Sequence, residues 1–479
     1  MGILRQPILP KHPTTPKASN ISDMASPHHN RQELLDIFNA ALTAADPYHA
    51  ILESACIEQS RLQFAETDFD LDSYQRIIVI GAGKATARMA QAVESLLGDR
   101  LTSGLIIVKE GHTAPLDIIK QIEAGHPVPS EAGEAATRNI LQLLNTANET
   151  TLVICLLSGG ASALLVAPAG KLTLQDKQET TQLLLNAGAN IYELNAVRKH
   201  ISAIKGGALA RAAFPAQLVT LILSDVINNP LDVIASGPTA ADNSTFSDAW
   251  HVIEKYDLAT SLPSRVCEHL KDGIAAQLPE TVKQGDPCLT KTQNIIVTDI
   301  RQALTAAQDK AMQLGFTSKI LSDSLSGEAR DVATWLAQTA RSELEKMKPG
   351  ERRCLLSGGE TTVTVRGTGM GGRNQELALA FALEVEGEQG ITLLSAGTDG
   401  TDGTGGSDGT GDAAGAIVNG DTVTLAISAG ITPSSYLDNN DSYSFFKNLD
   451  IAIDTQTQIV TGPTGTNVMD IQILILCKA

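Results

Sequence analysis

The stretch Arg76-Ile-Ile-Val-Ile-Gly-Ala-Gly-Lys84 decides how the chain folds. Residues 77–80 are an unbroken apolar run that predicts a buried strand, Gly81 to Lys84 predict a turn, and residues 85–97 predict a helix. Strand, glycine turn and helix in that order form the unit of a parallel α/β sheet, whose ligands gather at the carboxyl ends of its strands. The turn is not a P-loop, because G-x-x-x-x-G-K-[ST] is absent, and Thr86 stands where a dinucleotide fingerprint needs its third glycine. Lys84, at a helix start straight after Gly81-Ala-Gly83, is still a candidate for holding an anion.

Working outward, the same kind of signal recurs. Gly125-His-Pro-Val-Pro129 is a rigid loop whose His126, kept extended by Pro127, is expected to line a cleft. Residues 152–157 predict a strand ending in Ser158-Gly-Gly-Ala-Ser162, and Ser357-Gly-Gly-Glu-Thr361 is its near twin. The pair reads as two turns facing each other across a cleft. Asn195, Arg198 and Ser202 share one helix face, and with Lys205-Gly-Gly207 they suggest anion capture. Residues 217–223 predict a buried strand ending at Ser224-Asp225, where an open parallel sheet places a base or metal ligand, so Asp225 is the first choice of acid. Asn229-Pro230 and Ala235-Ser-Gly-Pro-Thr239 punctuate ordered loops.

In the second half, residues 285–292 read as a linker, and residues 294–298 and 317–321 predict strands alternating with helices over 302–314 and 327–345. Residues 355–381 then predict a strand, a turn at Ser357-Gly-Gly-Glu360, a second strand, a loop with four glycines between Gly367 and Gly372, and a helix from Arg373. A glycine loop feeding a helix can turn its N–H groups toward an anion, with Arg373 and Asn374 at the mouth. Gly367, Gly369 and Gly372 also satisfy G-x-G-x-x-G, which keeps a dinucleotide enzyme open, although the strand at 391–394 runs into Ser-Ala-Gly-Thr and not into a ribose-reading acid. The run from Ser395 to Asp412 fits neither an EF-hand nor a calcium nonapeptide repeat; it predicts a ligand loop, with Asp399 or Asp402 near a metal, that enters a helix near Ala413.

Composition bounds the rest. A chain of 479 residues exceeds one ordinary core, and 40 glycines with only 4% aromatics suit an α/β protein rich in tight turns. The net charge of −18 excludes nucleic acid and anionic membranes as partners, so an anionic substrate must be captured by local cations and N–H groups. Six scattered cysteines without a C-x-x-C pair point to a reducing cytoplasm, and no apolar stretch is long enough to span a bilayer. Residues 1–30 predict a disordered extension that is neither a secretory signal nor a transit peptide.

Taken together, these motifs, continued by Gly371-Gly-Arg-Asn-Gln-Glu376, Gly397-Thr-Asp-Gly-Thr-Asp-Gly403 and Thr461-Gly-Pro-Thr-Gly-Thr-Asn467, resemble the glycerate 2-kinase family with a C-terminal MOFRL domain, often labelled hydroxypyruvate reductase. The resemblance covers nearly everything after Arg31. It implies two α/β domains, a Rossmann-like one over 31–290 with a parallel sheet and a smaller MOFRL-type one over 291–479, with ATP and D-glycerate meeting in the cleft between them. It implies Lys84 and Arg373 on the transferring phosphate, Asp225 as base or orienter of the substrate hydroxyl, and Ser158 to Ser162 with Arg198 on the glycerate carboxylate. Magnesium would bridge the phosphates through Asp399 or Asp402. Gly81, Gly83, His126, Gly159, Gly160, Asn195, Lys205, Ser236, Gly237, Gly358, Gly359, Glu360, Gly371, Gly372, Asn374, Thr466 and Asn467 complete the expected binding set. The partners implied are these small molecules, with a homodimer left open. An NAD(P)H-dependent hydroxypyruvate reductase and a sugar-acid binding protein without chemistry are the alternatives.

Overall fold

A computed structural model describes residues 27–403 and 412–479. The first 26 residues of the expected extension, and the middle of the glycine- and aspartate-rich loop, lie outside the described residues. A helix over Pro27–Ala44 and a second over Pro47–Ser54 lead into a small antiparallel meander of β1 (Ala55–Glu58), β2 (Arg61–Phe64) and β3 (Thr67–Asp70). The meander was not foreseen, since residues 47–58 carry helical periodicity.

The first large sheet contains β4 (Arg76–Ala82), β5 (Ser103–Lys109), β6 (Ile119–Ala124), β7 (Thr151–Leu157), β8 (Gln217–Leu223) and β9 (Thr292–Thr298). Its spatial order is β6-β5-β4-β7-β8-β9 and every pairing is parallel. Counted from β4 this is 3-2-1-4-5-6, the doubly wound order, with its switch point between β4 and β5 on one side and β7 on the other. β4, β7 and β8 are covered on both faces, which explains their unbroken apolar runs.

The second sheet runs β10 (Thr317–Glu328), β11 (Arg352–Thr362), β15 (Asp470–Cys477), β12 (Ile391–Gly397), β13 (Gly415–Asn419) and β14 (Gln458–Ile459) in spatial order. Only β10 and β11 are parallel, the other neighbours antiparallel. Three expectations change here. β9, expected to open the second domain, is the edge strand of the first sheet, because its pairing partner is β8. Ala413 leads into β13 and not into a helix. Ser357-Gly-Gly-Glu360 is no turn, since β11 runs straight through it.

The two halves are tied by the N-terminal helix. Its apolar stripe Leu34, Ile37, Phe38 and Ala41 shares one core with Ala303, Leu304, Ala307 and Ala311 of the helix Ile300–Gln313, and Glu33 pairs with Arg352 of β11.

Candidate functional site

Five residues after β7 form the hub of the site. β7 stops at Leu157 because its neighbours stop with it: Leu157 pairs with Ala82 on one side and Ile222 on the other. The Gly159 carbonyl accepts from the Lys84 N–H at 2.8 Å, and the buried Ser158 Oγ accepts from the Ala85 N–H at 3.0 Å and shares a hydrogen bond with Thr86 Oγ1 at 3.2 Å. Ser158 therefore locks the β4 turn to the β7 turn. Gly81 and Gly83 serve the same closure, since a side chain there would strike Leu156 or Ser158. Gly160, with φ +85°, lies beneath the His126 ring and the Lys84 stem, which brings those three together.

At the far end of the hub sits a directional chain of hydrogen bonds. Ser162 Oγ accepts from Arg198 Nη2 at 2.9 Å and from Lys205 Nζ at 2.9 Å, which fills both lone pairs and leaves its proton for Ser236 Oγ at 2.9 Å. Ser236 Oγ then donates to Asn195 Oδ1 at 2.9 Å. This fixes which end of the Asn195 amide is the oxygen, and its Nδ2 is buried without a hydrogen-bond partner among the described residues. Ser162 is thus a fastener for two cations, and Arg198 and Asn195 Nδ2 are the groups left to meet a ligand. Ala235 and Ser236 hold φ of +52° and +62°, strain of the kind found where surroundings over-determine a functional loop, and Gly237 closes that loop against Asp232.

Asp225 follows β8 and faces both halves of the molecule. A side chain on Gly159 would stand 2.2 Å from its Oδ2, and Asn467 Nδ2 donates to that oxygen at 3.4 Å. Burial raises the Asp225 carboxyl above its usual range, opposed by Lys84 and reinforced by Asp399. Across from it, Arg373 is clamped by Asp470, which accepts from Nε at 2.5 Å and from Nη2 at 2.9 Å, and by Glu360 at 2.7 Å from Nη1. Burial opposes its charge, but Asp470 and Glu360 overcome that and hold the guanidinium protonated. Lys84, Asp225, Asp399, Glu360 and Arg373 thus lie in one electrostatic neighbourhood.

The glycine loop of the second half does not belong to it. The N–H groups of Arg366 and Gly367 donate to Asn440 Oδ1, those of Thr368 and Gly369 to Asn439, and that of Met370 to Asp441 Oδ1. The expected anion cradle is occupied by the chain itself. The start of the helix Arg373–Glu384 is likewise taken: Asp402 accepts from the Asn374 and Gln375 N–H groups at 3.0 and 2.8 Å and from both of their side chains. The expected metal ligand Asp402 is therefore the helix's resident anion, and Asn374, also held by Ser395, supports it. Gly371 and Gly372 abut Ser442 and Asp402, Gly358 abuts Ile300, and Gly359 abuts Leu325, all packing positions. Thr466 donates to the Ala45 carbonyl at 2.6 Å and so braces the interface and not a ligand.

One residue of the site and one buried lysine near Arg198 went unforeseen. Asp470 heads the apolar run of β15, and an acid at the head of a buried strand was the signal available. Lys177, buried on the helix Leu174–Asn186, gives no such sign, because a lone lysine on a polar helix reads as solvated.

These features bring together a buried acid after a strand of the doubly wound sheet, a knot of basic side chains on Ser162, and an arginine clamped by Asp470 of the mixed sheet. Residues 33–271 match the family model described as a domain of unknown function (DUF4147), and residues 353–470 match the MOFRL family. A D-glycerate 2-kinase of Thermotoga maritima is 42% identical over 398 residues, covering 83% of this chain and 89% of its own. A protein of Agrobacterium vitis named putative hydroxypyruvate reductase is 40% identical, covering 93% and 94%. A crystal structure of a glycerate kinase from Thermotoga maritima superposes with a TM-score of 0.81 at 38% identity, covering 94% of this chain and 100% of that one. The chain belongs to the glycerate kinase family that carries a MOFRL domain.

Proposed function

We propose that the protein transfers the terminal phosphoryl group of ATP to the C2 hydroxyl of D-glycerate, giving 2-phosphoglycerate and ADP. The observation that carries this reading is Asp225, an acid of raised affinity for protons set between Lys84 and the Arg373 clamp. In this reading the glycerate carboxylate meets Arg198 and Asn195 Nδ2, and Asp225 accepts the hydroxyl proton. A base raised toward neutrality takes a proton more readily than an ordinary aspartate. Lys84 and Arg373 neutralise charge on the transferring group, and the Asp470 and Glu360 contacts mean that Arg373 needs no reorganisation as that charge develops.

Among the described residues no three acids, histidines or cysteines are grouped to hold a metal alone. Magnesium held through one carboxylate plus substrate phosphates fits that pattern: Asp399 would hold it, and it would supply neutralising charge at the phosphates. The division into two domains with the cleft between them, and a cytoplasmic setting for six unpaired cysteines, belong to the same reading. Among the described residues no helix is long and apolar enough to cross a membrane.

The test is purified protein with Mg²⁺, ATP and D-glycerate. ADP release with 2-phosphoglycerate as the first product by phosphorus NMR is expected. NADH oxidation with hydroxypyruvate, without a coupling enzyme, would establish the reductase instead.

A further inference from the structure

Behind the Ser162 knot the protein buries basic side chains that no carboxylate among the described residues accompanies. Lys205 and Lys177 are 2% and 6% exposed. Lys205 Nζ donates to the Ser162 carbonyl at 2.8 Å as well as to its hydroxyl, and Lys177 Nζ donates to the Ile201 carbonyl at 2.9 Å, where the helix Ile191–His200 ends. Neither lysine, nor Arg198, pairs with a carboxylate among the described residues. Asp176, next to Lys177 in sequence, is turned to Thr173 and Arg265. The charged and titratable groups facing Lys177 from neighbouring elements are Arg198, Lys205 and His269, none of which is an acid. Burial, then Arg198, push Lys177 down to about 7, and burial, then Arg198 and Lys177, take Lys205 well below its ordinary value.

Uncompensated buried charge is costly, and elsewhere this protein avoids it: the equally buried Lys199 has Asp242 at 3.1 Å and Asp232 at 3.2 Å. Three basic side chains without an acid, two of them held below their ordinary proton affinity, mark a place where a bound anion would restore their charge. We propose that Lys177 is a specificity-determining residue that, with Lys205, makes the Ser162–Arg198 site select substrates carrying a carboxylate over neutral polyols and amides of the same size. Lys177 is a positioning residue, because its amine is anchored on the Ile201 carbonyl and it acts on the ligand through the field it shares with Arg198 and Lys205. This inference rests on the reading of the site as a hydroxy-acid site.

The experiment compares the parent protein with Lys177→Met and Lys177→Arg. For Lys177→Met, a charge lost at intermediate range should raise the KM for D-glycerate roughly 10- to 30-fold, with kcat and the KM for ATP within a few-fold; Lys177→Arg should recover most of the loss. Calorimetry without ATP extends the test to the parent protein alone. Near neutral pH, D-glycerate binding should take up protons, seen as heats that differ between buffers of unlike ionisation enthalpy, and the neutral amide of D-glycerate should bind at least about 10-fold more weakly. An unchanged glycerate KM in a folded Lys177→Met, a rise confined to the KM for ATP, or equal affinity for acid and amide would each overturn the proposal. Selective carboxylate binding without phosphoryl transfer would overturn the kinase reading and leave this one standing.

Discussion

Leu157 is followed by Ser158-Gly-Gly160 and Leu356 by Ser357-Gly-Gly359, yet the first strand stops there and the second continues to Thr362. The difference lies in their neighbours. β7 has no ladder partner beyond Leu157, so its next residues are free to turn, cap the β4 helix and reach Asp225. β11 has partners on both sides: Gly359 pairs with Leu325 of β10 and with Asp470 of β15, and β10 accompanies it to Thr362. The hydroxyls follow suit, since Ser158 Oγ is hydrogen-bonded and Ser357 Oγ is buried without a partner among the described residues. A short motif that looks like a binding turn is a strand wherever backbone donors and acceptors wait on both flanks, because leaving them unpaired costs more than extending through glycine.

The comparison breaks most sharply on activity. Asp225→Asn should lower turnover by ~10²- to 10⁴-fold with the fold intact. Gly159→Ala, whose methyl would displace the same carboxylate, should cost ~10²-fold, both measured by steady-state kinetics beside circular dichroism. Turnover within a few-fold of the parent in both variants would make the first turn as structural as the second. On the other side, Gly359→Ala places a methyl 2.1 Å from the Leu325 carbonyl at φ +154°. It should cost about 3 kcal/mol of stability in urea titration.

The smallest effect concerns the helix that follows β11. Burial raises the Asp402 carboxyl from 3.8 to about 6 in the folded protein. The folded state therefore binds the proton more tightly than the unfolded chain, so this group's contribution to stability falls as pH rises from 3.8 to about 6 and is flat outside that window. Asp402→Asn should remove that slope, at most about 3 kcal/mol, in denaturation midpoints measured across the window. An unchanged slope would show that the four donors around Asp402 offset its burial.

Much of the first half was legible. The apolar runs of β4, β7 and β8 with glycine or acid at their ends place Lys84, the Ser158 turn and Asp225 at one edge of a parallel sheet, because strands buried on both faces leave few alternatives. Asn195 and Arg198 were read as one helix face and Ser236 as part of a punctuating loop, but Ser162 as fastener and the direction of Asn195 Nδ2 depend on hydrogen bonds between segments far apart in the chain. The second half was less legible. Residues 367–372 look like an anion loop locally, and only the packing of residues 439–441 shows their N–H groups to be spent. Asp402 and Asp399 are indistinguishable in a run of aspartate and glycine, and the helix at Arg373 decides which becomes its cap. The sequence by itself determined the α/β class, the order of the elements and the types of residue at the site, because periodicity and punctuation are local properties. Tertiary structure alone decided which N–H groups and carboxylates stay available to a ligand and which lysines lack an acid, since both depend on partners tens to hundreds of residues away.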